Sequence, residues 1–242
     1  MARFILIHGA CHGAWCWERV IPLLTASGHR VTAPDLPGAG RDPTPLAQIT
    51  LDYWARFVAD LIEAEDEPVI LVGHSRAGIV ISQTAELVPG RIRLLVYLAA
   101  LLMKDGATMF ETARRSDIPP TKIVPAADGV SFSLGADEAR RALYNRTPAD
   151  WADRAVAHLC PEPLAPATTP LRLTADRFGR VDRVYIGCTE DLTVISPGLQ
   201  RTMLADLPCR RFIEMDTDHS PFYSAPEALV AHLLDLAAEV AS

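Results

Sequence analysis

Ser75, Asp191 and His219 are the residues of this sequence whose types and placement could do chemistry together. Ser75 lies within Val69-Ile70-Leu71-Val72-Gly73-His74-Ser75-Arg76-Ala77-Gly78, preceded by a short apolar run and followed by a helical pattern from Ile79. A strand-to-helix turn lifts a serine hydroxyl clear of the backbone only if the residues two before and two after it are small. Gly73 and Ala77 meet that requirement, although alanine stands where the strict G-x-S-x-G pattern has its second glycine. The same residues would also fit a buried turn whose serine merely caps a helix, so the distinction rests on partners elsewhere. A neutral hydroxyl is a poor nucleophile and needs a base within hydrogen-bond reach and a carboxylate to orient that base. On a sheet of alternating strands and helices these follow in the order serine, acid, histidine, each just past a strand end. Ser75, Asp191 and His219 have that order and that placement.

Glu190 is the rival acid. Among the seven histidines, His29 falls at a helix end, His232 on a helix face and His158 in the expected cap, and only His219 lies in a polar loop after a late strand. Attack on a carbonyl also requires two donors aimed at the oxyanion. The backbone N–H of Arg76, next to the nucleophile, is one. The N–H of Ala10, in the loop His8-Gly9-Ala10 after the first strand, is the other. Gly9, His74, Arg76, Leu102, Ser220 and Phe222 are the candidate substrate contacts. His12 is expected to brace the oxyanion loop by hydrogen bonding, and Trp15, Trp17 and Trp151 to pack.

These residues need a scaffold, and the sequence supplies one. Phe4–Ile7 reads as a buried strand and Gly13 to Gly28 as a helical stretch carrying Val20, Leu23 and Leu24. Arg30–Ala33 reads as a second strand. Thr50 caps a helix with apolar positions at Trp54, Phe57, Val58, Leu61 and Ile62. The strand before Ser75, its helix, and a strand over Ile92–Leu98 follow. Near-continuous apolar strands alternating with helices predict an α/β architecture, a mostly parallel sheet covered on both faces. The rhythm breaks over 104–179, where a hairpin about Asp128-Gly129 and helices over Ala136–Leu143 and Pro148–Leu159 are expected. It returns with strands Arg183–Cys188 and Arg211–Met215 and a final amphipathic helix from Pro226 to Val240. The predicted organisation is therefore a core formed by 1–103 and 180–242 and a cap inserted at 104–179, together one structural domain. Ligands in such sheets bind beyond the carboxyl ends of the strands, under such a cap.

Composition narrows the function. Of 242 residues, 49% are hydrophobic and 22% charged, as in a globular protein with a substantial core. The net charge of −7 and the lack of a basic run argue against nucleic acid as a partner. No segment reads as a signal sequence or a membrane span. The five scattered cysteines form neither a disulfide framework nor a zinc spacing, and Cys11 with Cys16 lacks a second ligand pair. The expectation is a cytoplasmic enzyme, monomer or homodimer, that needs no metal or organic cofactor and takes a small-molecule ester.

The motifs His8-Gly9-Ala10-Cys11-His12-Gly13-Ala14-Trp15-Cys16-Trp17, Gly73-His74-Ser75, Arg177-Phe178-Gly179, Tyr185-Ile186 with Cys188-Thr189-Glu190-Asp191, and Asp218-His219 together resemble the plant methylesterase and hydroxynitrile lyase branch of the α/β-hydrolases. The likeness runs over nearly the whole chain and is weakest in the middle of the cap. It implies the α/β-hydrolase fold, Ser75 as nucleophile, Asp191 as orienter, His219 as base, and backbone donors at Ala10 and Arg76. Lyases of this branch typically carry threonine at the position of Gly9 and lysine at that of Ser220. Gly9 and Ser220 place the chain on the esterase side, as a serine carboxylesterase acting on a small ester such as a methyl ester. The alternatives are a carbon–carbon lyase or cofactor-free oxygenase using the same residues, or a ligand-binding receptor on a hydrolase scaffold. Arg76 departs from the family, which has a smaller or apolar residue there. Its side chain would either favour an anionic substrate or pair with a protein carboxylate beneath the elbow.

Overall fold

A computed structural model describes residues 1–241. Strands β1 (Arg3–Ile7), β2 (Arg30–Thr32), β3 (Val69–His74), β4 (Ile92–Leu98), β8 (Arg183–Cys188) and β9 (Arg211–Met215) form a six-stranded parallel sheet in the order β2-β1-β3-β4-β8-β9. Between β4 and β8 the chain makes a separate antiparallel sheet of three short strands, β5 (Val124–Pro125), β6 (Ser131–Ser133) and β7 (Glu162–Pro163). The strand–helix alternation of the sequence is thus matched by the α/β architecture expected of it.

Each central strand is buried on both sides because successive side chains leave opposite faces of the sheet. Ile5, Ile7, Val69 and Leu71 face one layer, where Trp54, Val58 and Ile62 of the helix Leu51–Glu63 and Val80 of the helix Ala77–Leu87 cover them. Phe4, Leu6, Ile70 and Val72 face the other, covered by Val20 and Leu24 of the helix Val20–Ala26 and by Leu229, Leu233 and Leu236 of the helix Pro226–Ala241. Thr50 caps its helix as its position in the sequence requires, accepting from the Tyr53 amide at 3.0 Å. The chain leaves β1 toward one edge of the sheet and β3 toward the other. The two strands stay paired to their carboxyl ends, Ile7 beside Gly73, but the loops that follow them run opposite ways, and a crevice opens between those loops.

The inserted segment carries the expected hairpin, with Gly129 at φ 69° in its turn, and helices at Ala136–Leu143 and Ala149–His158. Its third strand, β7, and a short helix at Met109–Ala113 with a Thr108–Glu111 capping box extend that reading. Among the described residues no helix is long and apolar enough to cross a membrane, and no group of three or more His, Cys, Asp or Glu could hold a metal ion.

The turn after β3 is tight and its backbone is left-handed at the serine. Ser75 has φ 55°, a left-handed conformation that costs a non-glycine residue on the order of 1 kcal/mol or more. It is held there by its own backbone: its N–H donates to Leu98 O at 3.1 Å, and its carbonyl accepts from Gly78 N at 3.1 Å and Leu101 N at 3.0 Å. A Cβ at Gly73 would lie 2.9 Å from the Ile81 side chain and 3.0 Å from the Ala77 carbonyl oxygen, a tight fit. A Cβ at Gly78 would lie 2.1 Å from the Leu101 carbonyl oxygen, which cannot yield. The strict requirement for glycine therefore falls on residue 78 rather than on the serine-plus-two position, which Ala77 fills. Gly78→Ala should lower stability by about 3 kcal/mol in urea unfolding, the upper range for overpacking, with the helix start forced away from the chain that leaves β4 at Leu101.

Candidate active site

Three loops meet in the crevice. The loop after β3 brings Ser75, the loop after β8 brings Asp191, and the loop after β9 brings His219. His219 Nε2 lies 2.9 Å from Ser75 Oγ, and His219 Nδ1 lies 2.6 Å from Asp191 Oδ2. A carboxylate can only accept, so Nδ1 carries the proton and Nε2 is left to accept from the serine hydroxyl. Asp191 is itself fixed, accepting from the amides of Val194 at 3.1 Å and Ile195 at 3.2 Å in the turn that follows it. Glu190, the rival acid, is joined to this loop by its backbone, its N–H donating to Thr217 O at 3.0 Å. Asp191 and His219 are fully buried, and Ser75 keeps 8% of its surface open.

Ala10 and Arg76 border the same cavity as Ser75 and His219. Among the described residues neither backbone amide has a hydrogen-bond partner within the protein. The Arg76 amide also lies at the start of the helix Ala77–Leu87, the positive end of its dipole. The arrangement offers a nucleophile, its base, and two donors beside a space for a reacting carbonyl.

Around these residues lies a shell of neutral imidazoles, and their tautomers follow from their partners. His8 Nε2 accepts from the Leu36 amide at 3.1 Å, so its Nδ1–H donates to Gly9 O at 2.9 Å. His12 Nδ1–H donates to Ala10 O at 2.7 Å, and its Nε2 lies 2.7 Å from the Tyr144 hydroxyl, which donates to it. His74 Nε2–H donates to His219 O at 2.8 Å, and the two rings lie 4.7 Å apart. Burial is the main cause that pushes all three below the ordinary imidazole range, His12 to about 4. The bracing part expected of His12 corresponds to its bond to Ala10 O.

The remaining predicted contacts fall differently. Leu102 is buried in the hydrophobic core, and Leu101 borders the cavity in its place. The chain turns at Ala99, where φ is 41°, so strand alternation no longer sets which leucine faces the ligand space. Phe222 packs edge-on against His74 at 5.0 Å and against Trp17 at 5.4 Å, behind the site rather than in it. Ser220 is buried, its amide donating to Asp218 at 3.1 Å. Gly9 contributes its carbonyl, which accepts from His8 and from Arg76 Nη2 at 3.1 Å. A Cβ at Gly9 would lie 2.7 Å from His74 Nδ1 and 3.0 Å from Ser75 Cβ. Glycine there is a matter of close approach, and the space beside it is occupied rather than open. The Arg76 guanidinium stacks 4.1 Å over Trp54 and donates from Nε to Glu162 at 2.8 Å.

Three residues escaped the sequence reading: Glu162, Tyr144 and the role of Asp218. Asp218 is fully buried and accepts from Arg146 N and Thr147 Oγ1, each at 2.9 Å, and from Ser224 Oγ at 2.7 Å. It ties the inserted segment to the loop that carries His219. Only its position next to the histidine could have drawn notice to it.

The cavity itself measures about 380 Å³, a size suited to a small ligand. Beyond Ser75 and His219 its walls are mainly apolar, with Met109, Phe110, Ile118, Phe132, Leu143 and Leu199 among them, most from the inserted segment.

A parallel α/β sheet with a serine on the turn after a central strand, and an acid and histidine on later loops, defines an α/β-hydrolase. The chain belongs to the alpha/beta hydrolase family, whose model matches residues 4–232, and within it to the branch of the plant methylesterases. Methylesterase 7 of Arabidopsis thaliana is 33% identical over 251 residues, covering 97% of this chain and 96% of its own. A pyrethroid hydrolase from Sphingobium faniae superposes with a TM-score of 0.87 at 30% identity, covering 98% of this chain and 97% of that one. A tomato methylketone synthase I variant in complex with β-ketoheptanoate has a TM-score of 0.89 at 26% identity, covering 99% and 98%.

The buried neutral histidines set a pH dependence. His12 binds its proton near pH 6.5 when unfolded but only at about 4 when folded, so the unfolded chain takes up more protons in that window. Its contribution is present above pH 6.5 and is lost as pH falls toward 4, on the order of 3 kcal/mol. Thermal unfolding should show Tm falling through that range, and His12→Gln, which cannot take up the proton, should flatten the slope.

Proposed function

We propose that the chain is a serine carboxylesterase acting on small, uncharged, apolar esters, a methyl ester included. The observation that carries this is the hydrogen-bond chain Asp191–His219–Ser75, ending beside two unpartnered amides in an apolar cavity. As the likeness to named methylesterases and to a pyrethroid hydrolase also supports, the enzyme is a hydrolase of carboxylic esters. His219 Nε2 takes the Ser75 proton as Oγ bonds to the carbonyl carbon. The carbonyl electron pair moves to oxygen, where the Ala10 and Arg76 N–H groups receive the charge. The C–O bond to the alcohol breaks, and the alcohol leaves with the proton from His219. Water, deprotonated by the same imidazole, then attacks the acyl-enzyme, and Ser75 departs with its proton restored. Asp191 keeps the imidazole in the required tautomer and balances its transient charge. The segment 104–179 is the cap, supplying most of the wall against which the ester's apolar parts rest.

The esterase is favoured over the lyase alternative by Gly9 and Ser220. Threonine at residue 9 would drive into His74, and Ser220, buried with no charge, offers nothing to a departing cyanide. Neutral substrates are favoured because Arg76, the one Lys or Arg among the described residues bordering the cavity, already faces Glu162.

With p-nitrophenyl acetate or methyl esters as substrate, Ser75→Ala and His219→Ala should each reduce kcat on the order of 10⁶-fold, and Asp191→Asn on the order of 10⁴-fold. Retention of near wild-type turnover would refute the assignment. Across a panel of methyl esters, one bearing a second carboxylate should show kcat/KM lower by about two powers of ten than its neutral counterpart, the cost of an uncompensated buried charge. Equal values would refute the neutral-substrate reading.

A further inference from the structure

One ion pair joins the elbow, the oxyanion loop and the inserted segment. Arg76 is the residue after the nucleophile, and Glu162 lies 86 positions later in β7. Both side chains are buried, at 1% and 4% exposure, and they meet at 2.8 Å from Arg76 Nε to Glu162 Oε1. The other oxygen, Oε2, accepts from the Cys11 amide at 2.8 Å, and Arg76 Nη2 donates to Gly9 O at 3.1 Å. The pair therefore grips the loop on both sides of Ala10, through the carbonyl before it and the amide after it. Cys11 needs such a grip, because it has φ 61°, a left-handed conformation unfavourable to a side chain. Its carbonyl is held from the same stretch of the insertion, accepting from Cys160 N at 2.9 Å. Trp54 lies 4.1 Å beneath the guanidinium and closes the pair off from solvent.

Removing two charges from water costs several kcal/mol per ion, and such a pair contributes little net stability beside well-packed apolar residues. What it supplies here is geometry. We propose that Arg76 and Glu162 are positioning residues, whose ion pair sets the direction of the Ala10 N–H by fixing the backbone at Gly9 and Cys11. This rests on the esterase reading of the site, and it makes the rate of acyl transfer depend on a carboxylate that never touches substrate.

The test uses p-nitrophenyl acetate as substrate and two ketones as inhibitors. The first, 1,1,1-trifluoro-2-octanone, forms a hemiketal with Ser75 that carries an oxyanion. The second, 2-octanone, has the same apolar body but binds without an adduct. Glu162→Gln should lower kcat/KM at least 10-fold, a partial loss of the 10²–10³ that one oxyanion donor provides. The double variant Arg76→Met with Glu162→Leu, apolar and of similar volume, should fold with Tm within a few degrees of wild type while remaining at least 10-fold impaired. In both variants Ki for the trifluoro ketone should rise in step with the lost kcat/KM, and Ki for 2-octanone should stay within about twofold. A double variant with wild-type kcat/KM, or equal losses for both ketones, would overturn the proposal. Wild-type protein that fails to hydrolyse the ester or to form the adduct would overturn the esterase reading beneath it, whereas active wild type with unaffected variants overturns the positioning role alone.

Discussion

The left-handed backbone at Ser75 is the constraint from which the rest of the site follows. A residue with a side chain does not adopt φ near +55° unless its neighbours make every other conformation worse. Here the neighbours are backbone groups: Leu98 O on one side, and Gly78 N and Leu101 N on the other. These bonds draw the start of the helix Ala77–Leu87 against the chain leaving β4, so closely that only glycine fits at residue 78. The strand register of a parallel sheet, an apolar helix and one glycine together aim a hydroxyl out of the fold toward an imidazole from a loop 144 residues away.

Around that hydroxyl lie imidazoles fixed by hydrogen bonds within the protein. His8, His12 and His74 each donate one N–H to a backbone carbonyl of the site, at Gly9, Ala10 and His219 respectively. Because burial disfavours their charged forms, they brace these loops without adding positive charge to the site. The fourth imidazole differs in facing a buried carboxylate, Asp191, rather than a carbonyl. Four histidines in one small volume thus divide into three that face carbonyls and one that faces a carboxylate.

Much of this was legible in the sequence, and the limits have physical reasons. Ser75, Asp191 and His219 could be read because each follows a recognisable apolar strand, and the order of strands fixes the order of the loops after them. The parallel sheet could be read because its strands are buried on both faces and lack polar alternation. Leu101 could not be told from Leu102, because the turn at Ala99 ends the two-residue period that assigns side chains to faces. Glu162 was out of reach for a different reason. It belongs to a two-residue strand in an irregular segment, and its meaning depends on Arg76, Gly9 and Cys11, all distant in the chain. Arg76 did stand out as a charge in an apolar setting, and its partnership with a protein carboxylate was one of the two alternatives the sequence left open.

Among the bonds that hold the inserted segment to the rest of the fold, several reach the loops of the site: Tyr144 to His12, Arg146 and Thr147 to Asp218, and Glu162 to Cys11 and Arg76. These seams make it a poor candidate for modular exchange. A graft cut at its sequence borders that brings new cavity walls but no carboxylate at the place of Glu162 would leave Arg76 a buried charge without its counterpart. Diversification of substrate range on this scaffold is therefore constrained to proceed by single wall residues between the seams, or by replacing both sides of a seam at once.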